Sequence, residues 1–140
     1  MRSFLIGILL ILNSSPLIAG EITGDYVRAI THTIRVPAGG SLEEGLSLAN
    51  EWRVKVLDQN PYMKSISYLG RAVSDAEYKL LVLYEYQTTA EAAKAGPEIG
   101  SIMGTAWGND EGAQEFLAKL RGYIDPAENV SHPYTTIVRP

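Results

Sequence analysis

Residues 62–87 read YMKSISYLGRAVSDAEYKLLVLYEYQ, and this stretch decides the fold. Successive side chains of a β-strand point to opposite faces, so residues two apart share a face. Residues 62–72 and 77–87 both alternate in this way, and only residues 73–76 separate them. So short a connection favours antiparallel neighbours. The stretch is therefore predicted to be two adjacent antiparallel strands.

The elements that flank this pair complete a regular order. Before it, residues 25–36 alternate like a strand, and residues 41–59 carry apolar side chains at helical spacing. Ser41 and Glu44 have the spacing of a capping box at the start of that helix. After the pair, further helices are predicted from residue 88 and over residues 110–121, and a last strand over residues 132–139. The order is β-α-β-β-α-β, an α+β arrangement of the ferredoxin-like type.

The tyrosines are concentrated in the predicted strands. Nearly all of them fall on one strand face by the alternation rule. This pattern predicts a sheet with one face covered by helices and the other lined by tyrosine hydroxyls. Seven of the eight tyrosines lie in the predicted strands: Tyr26, Tyr62, Tyr68, Tyr78, Tyr84, Tyr86 and Tyr134.

Glycine recurs at every fourth position in the segment between the last two predicted helices. Each interior glycine costs a helix about 1 kcal/mol relative to alanine, or about 4–5 kcal/mol for five. We therefore predict an irregular segment or short broken turns rather than one continuous helix. Either it is a mobile flap with Met103 and Trp107 as its apolar contacts, or it packs Ile102 and Trp107 into the core. The five positions are Gly96, Gly100, Gly104, Gly108 and Gly112.

The amino terminus has the layout of a secretory signal peptide. Arg2 precedes an apolar run at residues 4–12, a polar stretch follows, and small residues lie near Ala19 and Gly20. An apolar run of this length is too short to span a bilayer, which needs about 20 residues. Residues 1–20 are therefore predicted to be a signal peptide and residues 21–140 a single domain. We expect an exported protein, periplasmic or extracellular, without a stable membrane anchor.

Composition excludes several classes of protein. Without Arg2, 11 of the 12 basic side chains remain against 16 acidic ones, a formal charge of −5. Nucleic-acid binders normally show a basic patch, so no nucleic-acid partner is expected. With no cysteine and two histidines, the sequence offers no credible metal site. Nucleophile-elbow, phosphate-loop and dinucleotide motifs are also absent from it, and no cofactor is predicted.

In element order and length, residues 25–139 resemble the dimeric α/β-barrel superfamily, which includes antibiotic-biosynthesis-monooxygenase-like and stress-responsive barrel domains. The resemblance implies a homodimer that joins two sheets into a barrel, with a pocket between each sheet and its helices or inside the barrel. Monooxygenases of this group often use asparagine and tryptophan. The corresponding Asn50 and Trp52 lie about 200° apart round the predicted helix. Haem-degrading relatives use a histidine on a helix, whereas His32 and His132 are predicted on strands.

Eight side chains are candidates for contact with a ligand in such a pocket: Tyr26, Arg28, His32, Lys64, Tyr68, Tyr84, Tyr86 and Trp107. Tyrosine combines an apolar ring with a polar tip, which suits a small aromatic or amphipathic ligand but equally suits a dimer contact. Arg28 and Lys64 either bind an anionic group or pair with acidic residues across the subunit boundary. His32 is either a pocket residue or a structural one.

Two functions remain open from the sequence. The first is an exported binding module, a barrel dimer that holds a small molecule in a tyrosine-lined cavity. The second is a cofactor-independent oxygenase or isomerase of the same superfamily, with His32, Arg28 or a tyrosine in the chemistry. A strongly shifted pKa in a closed pocket would favour the enzyme.

Overall fold

The computed structural model of the chain describes residues 25–135. The predicted signal peptide and the end of the last predicted strand lie outside the described residues. One four-stranded sheet has the order β2-β3-β1-β4, and each adjacent pair is antiparallel. This topology confirms the predicted α+β, ferredoxin-like arrangement. The strands are β1 (Tyr26–Arg35), β2 (Ser65–Ala72), β3 (Glu77–Tyr86) and β4 (Val130–Thr135).

Three α-helices cover one face of the sheet: α1 (Leu42–Trp52), α2 (Thr89–Ala106) and α3 (Asp110–Tyr123). The Ser41 hydroxyl accepts a hydrogen bond from the Glu44 amide at 3.1 Å, as the capping box predicted. Beyond Trp52 the helix continues as a five-residue π-helix, Arg53–Leu57. Among residues 25–135, we find no helix with the length and hydropathy needed to cross a membrane.

The prediction of an irregular glycine-rich segment was wrong for residues 96–106, although no single helix spans all five glycines. Helix α2 runs without a break through Gly96, Gly100 and Gly104, although Pro97 also lies inside it. Its opposite side is anchored, because Ala95 is buried and its carbonyl accepts a hydrogen bond from the side chain of Asn60 at 2.9 Å. Tertiary contact of this kind commonly overrides weak helix propensity.

A three-residue turn separates α2 from α3, and glycine is required in it. Gly108 adopts a φ of 83°, a conformation that residues with a side chain rarely adopt. The Asn109 side chain then accepts a hydrogen bond from the Gly112 amide at 2.8 Å and caps α3. The segment is therefore two helices joined by a tight turn, with no flap-like loop between them.

The prediction that the tyrosines and the helices occupy opposite faces was also wrong. The core joins Ile34 of β1 and Val82 of β3 to Leu48, Phe116 and Tyr123 from the helices. The tyrosines of β2 and β3 pack against this same cluster. Alternation shows which side chains share a face but not which face the helices cover. The half-buried tyrosines that contact the core are Tyr68, Tyr78 and Tyr84.

Candidate functional site

Four of the predicted site residues lie together at one end of the helix-covered face. In the β1–β3 register, Arg28 is opposite Tyr84 and Tyr26 is opposite Tyr86. Side chains directly opposite in a sheet have Cβ atoms about 4.5–5.5 Å apart. The ring centroids of Tyr26 and Tyr86 are 6.0 Å apart. We call these four residues the tyrosine–arginine site.

Two hydroxyls of this site have no protein partner among residues 25–135. Neither the Tyr84 nor the Tyr86 hydroxyl forms a hydrogen bond with any residue of the described chain. Across residues 25–135, no buried polar side-chain atom sealed from solvent lacks a hydrogen-bond partner. Both hydroxyls therefore reach solvent, even though Tyr86 is only 4% exposed as a whole. Each hydroxyl thus keeps some accessible surface, although the residue that carries it is buried at Tyr86 and half-buried at Tyr84.

Burial fixes the protonation state of these phenols. It raises the pKa of both Tyr84 and Tyr86, and the charge of Arg28 offsets only part of this rise. A phenol with a raised pKa stays neutral at physiological pH and can donate a hydrogen bond. The site therefore presents two phenol donors and one guanidinium.

Tyr68 borders the site on the side of α1. Burial raises its pKa to about 12. Its hydroxyl donates to the Ala49 carbonyl at 3.3 Å, and the guanidinium of Arg53 lies 5.4 Å from its ring centre. Because its hydroxyl already has a partner, Tyr68 contributes an apolar wall rather than a free polar group. Arg53 belongs to the π-helix, an irregularity that is frequent at functional sites.

Lys64 is not part of the site. Its ammonium pairs with Asp25 and, at 3.3 Å, with Glu85. The sequence left open whether this lysine binds an anionic group or pairs with acidic residues across a subunit boundary. The structure shows the ion pairs, but they lie within one chain.

His32 lies on the same strand face as Arg28, four residues along β1. Its Nδ1 is 2.9 Å from Oδ1 of Asn129. Since that oxygen is an acceptor, Nδ1 carries the proton and Nε2 remains an acceptor. Burial lowers the pKa of His32, so its neutral form is favoured in the folded protein. The structure thus ties His32 to the turn before β4.

We expect His32 to make stability depend on pH. The pKa of His32 is lower in the folded than in the unfolded protein. The folded protein therefore has its full stability above the unfolded pKa of about 6.5 and loses stability as the pH falls below that value. The free energy of unfolding in urea should therefore fall between about pH 7.5 and about pH 5.5, above the range of ordinary carboxylates. His32→Gln should remove most of this fall, and His132→Gln, exposed on β4, should retain it. An equal fall in all three proteins would contradict the assignment.

Trp107 lies away from the site, in an aromatic stack between the helices. Its ring centre is 4.3 Å from that of Phe116 and 6.4 Å from that of Trp52. Its indole nitrogen donates to Glu51 at 2.9 Å, and this bond is the main cause of the lowered pKa of Glu51. Of the two interpretations of its segment, the geometry supports packing of Trp107 against the core.

The face of the sheet that the helices leave open carries a depression that was not predicted from the sequence. It has a volume of about 530 Å³. The sequence indicates this apolar second face by the unbroken run Leu80-Leu81-Val82-Leu83. A strand that is apolar on both faces is normally covered on both. The lining side chains come from β1, β3 and β4: Val27, Ala29, Thr31, Leu81, Leu83, His132, Tyr134 and Thr135.

Metal chemistry has no visible support in the described chain. Residues 25–135 contain no group of three histidine, cysteine, aspartate or glutamate side chains placed to hold a metal ion.

Solved structures of other proteins superimpose on this chain. SnoaB, a cofactor-independent oxygenase from Streptomyces nogalater, superimposes with a TM-score of 0.50 and 12% identity, over 82% of this chain and 96% of SnoaB. A nipsnap family protein of unknown function from Agrobacterium tumefaciens gives a TM-score of 0.56 and 10% identity, over 82% of this chain and 90% of that protein. At such identities these similarities confirm the fold that the sequence resemblance implied.

Sequence comparison adds no closer relationship. No protein-family model matches the chain. No curated protein matches it in sequence either.

Proposed function

We propose that this protein is a small-molecule-binding α/β-barrel protein whose ligand lies against the tyrosine–arginine site. The observation that carries the proposal is the set of solvent-reaching donors that have no protein partner among residues 25–135. The hydroxyls of Tyr84 and Tyr86 stand beside the guanidinium of Arg28 at the end of a buried aromatic surface. Apolar walls with a few convergent polar groups are the usual composition of a ligand pocket. A small aromatic or amphipathic molecule fits this composition.

Removal of the two hydroxyls tests the proposal. Each hydrogen bond contributes about 0.5–1.5 kcal/mol, so Tyr84→Phe with Tyr86→Phe should weaken binding about tenfold while leaving the rings in place. Calorimetric titration with benzoate, 2-naphthoate and anthracene-2-carboxylate measures the change. Tyr78→Phe is the matched control, since Tyr78 lies on the same face at the far end of β3. Equal affinities in all variants, or no binding of any probe, would contradict the proposal.

The second hypothesis, a cofactor-independent oxygenase or isomerase, draws on the fold shared with SnoaB. Such chemistry requires a base that removes a proton from the substrate. Burial raises the pKa of Tyr84 and Tyr86 and keeps both phenols protonated, which leaves the neutral His32 as the nearest candidate along β1. Oxygen uptake that is abolished by His32→Gln would favour this hypothesis. Binding of the probes without their turnover favours the binding module.

We further propose that a second copy of the chain covers the open face, so that two sheets form the barrel. This face exposes apolar side chains next to the depression, including Leu69 at 54% and Tyr134 at 55%. A two-fold dimer brings the same patch of both chains together, and a surface with both a hollow and protruding side chains can be self-complementary. The dimer buries the apolar surface that the helices leave open.

Light scattering should accordingly find a dimer, and Leu83→Arg should weaken it by at least tenfold. An arginine in the depression would be buried against apolar side chains without a partner. Val54→Arg is the control, because Val54 is 50% exposed on the π-helix, away from the open face. A wild-type monomer, or the same dissociation constant in both variants, would contradict the proposed interface.

Export is proposed on the predicted signal peptide alone. The amino-terminal residue of the protein recovered from its own host tests it. A chain that begins at Gly20 or Glu21 would support cleavage after Ala19 or Gly20. A chain that retains the residues before Ala19 would contradict it.

A further inference from the structure

We infer that the ligand of the tyrosine–arginine site is an aromatic acid and that Arg28 binds its carboxylate. The inference rests on the proposed function and names the chemical class of its ligand. Four cationic side chains of the described chain are half-buried: Arg28, Arg53, Lys55 and Lys79.

Three of these four cations have partners within the chain. Arg53 lies 3.5 Å from a carboxylate oxygen of Asp58, and Lys55 lies 3.1 Å from one of Glu51. Lys79 pairs with Glu77 at 3.4 Å and donates to the Thr33 hydroxyl at 2.6 Å. No residue of the described chain forms a hydrogen bond or an ion pair with Arg28. A half-buried charge without a partner is unfavourable, so an anion from outside would satisfy it.

Among residues 25–135, the neighbours of Arg28 offer hydrogen-bond donors, and the carboxylates nearby are already paired with another cation. Directly opposite lies Tyr84, and Tyr86 is its diagonal neighbour; both hydroxyls are free to donate. The acidic residues at this end of the two strands, Asp25 and Glu85, are engaged with Lys64. Glu85 also faces the opposite side of the sheet, since it lies between Tyr84 and Tyr86 along β3. An oxyanion is the group that such a set of donors complements.

The single cation and the aromatic walls of the site narrow the chemical class of the ligand further. A guanidinium matches the two oxygens of a carboxylate in a bidentate pair. One arginine balances one negative charge, which fits a carboxylate better than a doubly charged phosphate ester. Tyr26, Tyr84 and Tyr86 supply ring surface beside the donors, and Ile66 flanks Tyr84 from β2. A flat aromatic ring bearing one carboxylate satisfies both parts of the site.

Calorimetric titration with 2-naphthoate and its uncharged analogue 2-naphthamide tests this inference on the full mature chain. The wild type should bind the acid at least tenfold more tightly than the amide. Arg28→Gln should lower the affinity for the acid to that for the amide and leave the affinity for the amide unchanged. Arg28→Lys, which keeps the charge but loses the bidentate geometry, should be intermediate. Lys119→Gln removes the same charge from an exposed position on α3, outside the site, and should have no effect.

The outcomes separate this inference from the proposed function. Equal affinities of the wild type for acid and amide, both weakened by the paired Tyr84→Phe and Tyr86→Phe substitution, would overturn the carboxylate assignment and retain the site. Binding of neither probe, or binding unaffected by those phenylalanine substitutions, would overturn the site itself. An identical loss of acid binding in Arg28→Gln and Lys119→Gln would indicate general charge attraction and would also overturn the assignment. Thermal unfolding of each variant establishes that it is folded.

Discussion

Phe116→Ala is expected to lower the free energy of unfolding by about 3–5 kcal/mol, the range for truncating a buried aromatic side chain. Phe116 is only 5% exposed and belongs to the core between the sheet and the helices. Its ring also stacks on Trp107 at 4.3 Å and lies 6.3 Å from Trp52. The substitution removes contacts to both tryptophans at once. Urea unfolding measures the loss.

Two comparisons make this prediction specific. Leu117→Ala, at a half-buried neighbouring position on α3, should cost less than Phe116→Ala. The chain has two tryptophans, and both contact Phe116, so the fluorescence of folded Phe116→Ala should shift to longer wavelength. A loss below about 1 kcal/mol would contradict the packing, because buried truncations of this size cost more.

Replacing both Gly96 and Gly100 by alanine is expected to raise the free energy of unfolding by about 2 kcal/mol, about 1 kcal/mol for each position. Both glycines lie inside α2, and a Cβ atom added to either meets no atom within 4 Å. Neither has a positive φ. Alanine therefore gains helix propensity without a clash and also reduces the entropy of the unfolded chain.

Gly112→Ala provides the opposite case in the same segment. Its Cβ would lie 2.7 Å from the backbone oxygen of Trp107, so the turn between α2 and α3 would have to move. We expect this variant to be destabilised, whereas the double variant in α2 is stabilised. Thermal and urea unfolding of both proteins check the contrast. A destabilised double variant would mean that the face of α2 carrying Gly96 and Gly100 is packed against something in solution.

Local signals were sufficient for most of the fold. The alternation in residues 77–87 and the four-residue link before it defined β2 and β3 as a hairpin, since strand periodicity and connection length are local properties. The capping residue Ser41 marked the start of α1 because the bond that it forms lies within three residues. The strand β2 nevertheless begins at Ser65, so Tyr62 lies in the preceding loop.

The errors arose where structure depends on distant contacts. Propensity argued against a helix through Gly96, Gly100 and Gly104, but the buried side of α2, anchored at Ala95, decides its conformation. Likewise, alternation could not determine that the helices cover the tyrosine face, because helix placement follows from chain topology. The amphipathic character of tyrosine allows its ring to pack while its hydroxyl reaches solvent.

The candidate site could be predicted only in part for the same reason. The sequence grouped Tyr26 and Arg28 on one face, and the antiparallel register places them opposite Tyr86 and Tyr84. It could not distinguish Arg28 from Lys64. Lys64 is satisfied by two carboxylates, one of them 39 residues away along the chain, and Arg28 has no such partner among the described residues.

The most direct test of the central claim is an NMR titration of the protein, with its tyrosine rings labelled with carbon-13, against 2-naphthoate. Tyr→Phe variants assign the ring signals. If the ligand lies against the tyrosine–arginine site, the signals of Tyr26, Tyr84 and Tyr86 move while that of Tyr134, on the open face, does not. Movement of Tyr134 with no change at Tyr84 and Tyr86 would contradict this position and would place the ligand on the open face of the sheet.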